Sequence, residues 1–180
     1  MTSRLRRLLP LSALALAGTG LAACAGGGLS GGRVVVDDIN PLYSSVEFSS
    51  AADGRDLRTT VQGNPFGTPG FDQAVAQIMT ATYVGPKTRF TPTPGPSAKR
   101  DYFVALAVNP QPDVVSGSLC NGQAVTTAPA QRPIVIRAAF CVAGREASSV
   151  SAYLDQASGP TDPKFVDTIR QLTIQLFPYR

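Results

Sequence analysis

Two stretches of strict alternation constrain this chain most. In DYFVALAVNP (101–110), Tyr102, Val104, Leu106 and Val108 fall on one side of an extended backbone, and Phe103, Ala105 and Ala107 on the other. In IVIRAAFCVAG (134–144), Ile134, Ile136, Ala138, Phe140 and Val142 make a continuous apolar face. Val135, Arg137, Ala139, Cys141 and Ala143 lie opposite. A period of two is that of a β-strand, whose alternate side chains point to opposite faces. A strand with a strongly apolar face must lie against a covering layer, so these segments commit the chain to a packed sheet.

Weaker patterns fill in the rest. Arg33–Val36 reads as a short strand or an ordered lead-in. Leu57, Thr59 and Val61 alternate with Asp56, Arg58, Thr60 and Gln62, as in a half-buried strand. The turn signal ADGR (52–55) separates that strand from SSVEF, and together they predict a hairpin. Phe71, Val75, Ile78, Met79 and Tyr83 fall near helical spacing, with Thr68-Pro69 as the expected cap and first turn and Gly85-Pro86 as the stop. Pro92, Pro94 and Pro96 lie within five residues, a spacing that suits polyproline II in a surface loop crossing a sheet edge. Gln123–Thr127 is expected to be a short strand in a loop-rich region. EASSVSAYLDQAS (146–158) reads as strand then turn, with a helix as the other possibility. Asp162-Pro163 caps a helix whose apolar face is Phe165, Ile169, Leu172 and Leu176. The expected fold is α+β: one domain over residues 33–180, an antiparallel or mixed sheet with two helices packed on one face.

The amino terminus follows different rules. MTSRLRR carries Arg4, Arg6 and Arg7 and no acid, and residues 8–23 form an apolar run ending in small residues. That run is shorter than the roughly 20 residues a helix needs to span a bilayer. A basic start, a short apolar run and small residues are the parts of a secretory signal over residues 1–23. Leu21-Ala22-Ala23-Cys24 resembles the lipobox of bacterial lipoproteins. The resemblance implies that the Cys24 thiol is alkylated with diacylglycerol, that the chain is cut before it, and that the protein is anchored to a membrane facing the periplasm. In the enterobacterial sorting pattern an Asp after the cysteine holds a lipoprotein at the inner membrane. Ala25 departs from that and favours the outer membrane. Residues 24–32 are then the lipidated cysteine and a Gly/Ser tether too poor in apolar side chains to fold.

Removing the signal alters the charge. The 16 basic residues become 13 without Arg4, Arg6 and Arg7, against 12 acidic. Net charge therefore offers no case for nucleic-acid binding. Two further cysteines, Cys120 and Cys141, lie in the exported part, where thiols are readily oxidised. An even pair there predicts one disulfide, which would stabilise by roughly 3 kcal/mol through loop-closure entropy.

The chain has no histidine. That excludes Ser-His-Asp and Cys-His catalysis and His-ligated zinc. No nucleotide-binding or calcium-loop motif is present, and the sequence calls for no cofactor, no metal and no catalytic residue. Among charged residues, Arg137 stands out because it lies mid-strand on the Cys141 face between small alanines. A guanidinium there could recognise an anionic ligand, or could pair with an acid on a neighbouring strand such as Asp101. Asp37-Asp38 reads as a solvated lead-in or a cation or partner contact, and Glu47 and Asp101 as an acid–base pair or as plain surface charges. In VQGNPFG (61–67), Phe66 either tips a display loop or tucks into the core.

The ordered set VQGNPFG, TRFTPTPGPSAKRDYFVALAVNP, LCNG, IRAAFCVAG and DPKFVDTIRQLTIQLFP is similar to a group of uncharacterised bacterial envelope lipoproteins. That resemblance implies no activity or site residue. The function expected is a lipid-anchored cell-envelope lipoprotein whose domain is a non-catalytic interaction or structural module, with an envelope protein as the candidate partner. The alternative is a lipoprotein that binds a small anionic ligand.

Overall fold

The computed structural model describes residues 32–129 and 132–179. The expected signal peptide (1–23), Cys24 and most of the expected tether (24–32) lie outside the described residues. In chain order the elements are β1 (Arg33–Ile39), α1 (Ser45–Ala52), β2 (Arg55–Gln62), α2 (Phe71–Thr82), β3 (Thr88–Thr91), β4 (Tyr102–Val108), a 3-10 turn (Ser116–Asn121), β5 (Ile134–Val142), β6 (Arg145–Leu154) and α3 (Pro163–Leu176). The six strands form one sheet in the order β1-β6-β5-β4-β2-β3. The β1–β6, β6–β5 and β5–β4 pairs are antiparallel, whereas β2 is parallel to both β4 and β3. The sheet is thus mixed, in an α+β domain.

The two most alternating strands, β4 and β5, take central places. Val104, Leu106, Val108, Ile136, Ala138 and Phe140 join the main core, while Phe103, Ala105, Ala107, Ala139 and Cys141 form a smaller one on the opposite face. Asn109 ends β4 at φ 50°, a conformation asparagine tolerates better than most residues.

The main core lies under three helices, one more than expected. SSVEF does not pair with β2 as a hairpin strand; it is the first part of α1. Ser44 caps this helix, its hydroxyl accepting from the Glu47 N–H at 3.0 Å. Ser44 and Glu47 have the spacing of a capping box, and Phe48, Ala51 and Ala52 are buried at i, i+3 and i+4. That helical signal competes with the apparent alternation and prevails. Asp53-Gly54 still turns the chain, but from helix to strand.

α2 begins later than its sequence implies. Its cap is Gly70 at φ 71°, not Thr68, and no side chain bonds to the helix end. Asp162 does cap α3, accepting from the Lys164 N–H at 2.9 Å, and Phe165, Ile169, Leu172 and Leu176 are fully buried. Phe140 is central to an aromatic cluster, its ring 5.3 Å from Phe48, 5.4 Å from Phe177 and 6.3 Å from Tyr43. Phe66 packs between Phe71 and Phe165 at 5.8 and 5.4 Å, so VQGNPFG tucks inward and is not a display loop. Gly63 makes this possible: at φ 83°, a Cβ there would meet the Val108 carbonyl oxygen at 2.3 Å.

Among the described residues the other face has no helix longer than the 3-10 turn. The expected strand at 123–127 reduces to one bridge, Thr127 to Pro110. The segment is fastened instead by the Cys120–Cys141 disulfide, with Cα atoms 5.4 Å apart. The small side chains of Ala105, Ala107 and Ala139 leave room for Leu119 and Cys120 to approach the sheet. Among the described residues no helix is long and apolar enough to cross a membrane.

Candidate functional site

The loop-covered face carries two cavities, one on each side of the disulfide-held turn. The first, about 370 Å³, lies over the β1–β6–β5 end of the sheet. Alternation along β6 places Ser149, Ser151 and Tyr153 on this face, while Val150, Ala152 and Leu154 enter the main core. β5 contributes Arg137, which pairs in register with Ser151. β1 contributes Asp37 and Asp38, and Glu146 and the 3-10 turn complete the wall.

Asp37 organises this pit. Its Oδ2 accepts from the Ser151 and Ser116 hydroxyls, each at 2.7 Å, and so ties the 3-10 turn to two strands. A carboxylate is far too weak a base to ionise an alcohol, so this contact orients the serines without activating either. Arg137 Nε and Ser149 Oγ are buried without a hydrogen-bond partner, an uncommon and costly condition for polar atoms. The pit thus has hydrogen-bonding capacity that the protein itself does not use.

Arg137 faces this pit as the sequence suggests, but it does not pair with Asp101. That residue precedes Tyr102, which lies opposite Val142, whereas Arg137 lies opposite Ala107. Six residues of strand, roughly 20 Å, separate Asp101 from Arg137 along the sheet. Asp37 is more than a solvated lead-in, since it belongs to a paired strand and bonds two hydroxyls. Asp37, Asp38 and Glu146 outnumber Arg137 around the pit, which disfavours a bare anion and suits a ligand offering both donors and acceptors. Among the described residues no group of three or more His, Cys, Asp or Glu could hold a metal ion.

The second cavity, about 350 Å³, lies over β2 and β4 and is lined by Arg58, Thr60, Gln62, Phe103 and Leu119, among others. Arg58 lies over the Phe103 ring at 4.6 Å, and its Nε is also buried without a partner. The Gln62 amide is engaged at both ends, accepting from the Val125 N–H at 2.7 Å and donating to the Gln123 carbonyl at 3.2 Å. Arg58 also lines a third cavity, about 390 Å³, under the proline loop with Lys99 and Arg100. Asp56 fixes that loop: Arg89 donates to it twice, at 2.8 and 3.0 Å, and the Gly95 N–H donates at 2.7 Å. These bonds, the Arg89 contact foremost, hold the Asp56 carboxyl below the ordinary value of 3.8.

Glu47 and Asp101 both lie near the Tyr102 hydroxyl, and their charges help to raise its pKa. Glu47 accepts from the Tyr102 hydroxyl, and this bond is the foremost cause of a Tyr102 pKa above its usual 10.0. The β6 serines and Arg58 are site residues that the sequence reading did not single out, although their alternation was a usable signal.

No family model and no curated protein sequence matches the chain. Among solved structures, the PelC dodecamer from Paraburkholderia phytofirmans is similar at a TM-score of 0.46 and 12% identity, over 83% of this chain and 99% of that one. A variant of the same dodecamer gives 0.44 and 11% over the same shares. At that level the likeness assigns no function.

Proposed function

We propose that this chain is a lipid-anchored cell-envelope protein whose folded domain is a non-catalytic interaction or structural module. Supporting the anchor is the sequence Leu21-Ala22-Ala23-Cys24 so close to the first strand, which begins at Arg33. Nine residues reach at most about 30 Å even when fully extended. An acylated Cys24 would therefore keep the β1 edge close to the membrane, with the outer membrane as the proposed address from Ala25. The single observation that carries the interaction role is the pit over β1, β6 and β5, where Arg137 Nε and Ser149 Oγ are buried and unpaired. The same Arg137 atom favours a second reading, a small ligand with an acidic group, against which stand the three carboxylates around it.

Mass spectrometry of the processed protein tests the anchor. The expected result is a first residue of Cys24 carrying a diacylglycerol mass, and an unprocessed or unlipidated product from Cys24→Ala. A wild-type mature protein with no acyl mass on its first residue overturns the reading.

A further inference from the structure

The Arg137 pit holds opposite charges that do not meet. Arg137 comes from β5, Asp37 and Asp38 from β1, and Glu146 from β6, and all four line the same space. Yet the one ion pair among the described residues joins Arg89 to Asp56, at the far edge of the sheet. A bulge in β1 explains the two adjacent aspartates: Val36 pairs with Val150 and Asp38 with Ser149, so Asp37 is the extra residue and both carboxylates face the pit. Asp37 is partly used, since its Oδ2 already accepts from Ser116 and Ser151. Ser149, 1% exposed, adds a hydroxyl with no partner, and Arg137 Nε is likewise buried and unpaired. The pit measures about 370 Å³, at the low end of the roughly 300–1,000 Å³ usual for small-molecule pockets.

We infer that this pit is a site for a zwitterionic ligand of the α-amino acid class. The ligand carboxylate accepts from the Arg137 guanidinium, whose planar fork suits two parallel bonds. The ligand ammonium, with three N–H donors, donates to Asp38 and Glu146. A bare anion would meet three carboxylates there and a bare cation would meet the guanidinium, whereas a zwitterion gives each charge its opposite. The span is suitable. β5 and β1 flank β6, so their backbones are about 10 Å apart. An α-amino carboxylate with a hydrogen bond at each end reaches about 8–9 Å. The inference rests on the second reading above, that the pit takes a small ligand, and names the class of that ligand. It does not depend on lipidation at Cys24.

The test is thermal unfolding of the purified full chain with each free L-amino acid that has an uncharged side chain. The N-acetyl derivatives, which keep only the carboxylate, and the amides, which keep only the ammonium, are run in parallel. The expected result is that at least one free amino acid raises the midpoint by about 3–5 °C at ten times its dissociation constant. Its two derivatives should bind at least tenfold more weakly. Affinity for it should fall at least tenfold in Arg137→Gln and several-fold in Asp38→Asn and Glu146→Gln, and should be unchanged in Arg58→Gln, which lies outside the pit. An N-acetyl derivative that binds as tightly as its amino acid overturns the zwitterion and leaves the reading of a small acidic ligand standing. An amide that binds as tightly, or no response to any of the compounds, overturns both. A response that Arg137→Gln retains in full overturns the assignment to this pit. Should Arg137→Gln fail to fold, unchanged affinity in Asp38→Asn overturns it as well.

Discussion

The two faces of the sheet are covered by different means. Under the helices, large side chains meet: Phe48, Phe140, Phe165, Met79, Leu106, Ile169, Leu172 and Leu176 are all essentially inaccessible to solvent. Under the loop, the small core takes Ala105, Ala107 and Ala139 from the sheet beside Phe103, and a covalent bond supplements what little apolar area those side chains bury. A face of small residues cannot hold a long irregular segment by burial alone, because hydrophobic stabilisation scales with the area removed from water. It can, however, let backbone and polar groups come close, and both arginine-bearing regions lie on this face. One face supplies most of the stability, and the other supplies the exposed chemistry.

The contrast can be broken most forcefully from the helix side. Phe140→Ala removes a ring in contact with Tyr43, Phe48 and Phe177, and should destabilise by about 3–5 kcal/mol in denaturant unfolding. A cost under about 1 kcal/mol would show that the aromatic cluster is not the main source of stability. Next in size is the paired change Cys120→Ala with Cys141→Ala, with an expected loss of about 3 kcal/mol. Its signature is regional: amide exchange should accelerate at 111–128 well before α3. Equal acceleration in both would mean that the two faces do not come apart separately.

The smallest effect concerns Asp56, which fastens the proline loop. Its carboxyl pKa is lower in the folded chain than unfolded. The contribution is therefore fully present above the unfolded value of 3.8, and is lost as pH falls through the lower folded value. Asp56→Asn should cost about 1 kcal/mol or less at pH 7, since Arg89 is largely exposed to solvent. The gap from wild type should close in strongly acidic buffer. A gap that persists there would assign the effect to packing and not to charge.

How much of this was legible beforehand depended on the strength of local periodicity. β4, β5 and α3 follow from alternation or helical spacing because burial on one face fixes the side-chain period. The disulfide follows from cysteine count and setting. α1 was obscured because SSVEF alternates over a few residues, a span too short to distinguish strand from helix, and Ser44 and Glu47 were the decisive signal. The Arg58 cavity was illegible for another reason: β2 carries Arg58, whereas Phe103 comes from β4. Only the parallel placement of β2 beside β4 brings them together.

The sheet order also bears on assembly. β1 has a single neighbour, β6, and pairs Arg33 with Tyr153. These partners lie 120 positions apart in the 180-residue chain, so this pairing closes the largest loop among the strand pairs and carries the greatest entropic cost of closure. The first strand is therefore the one whose place depends on the completion of the five strands that follow it.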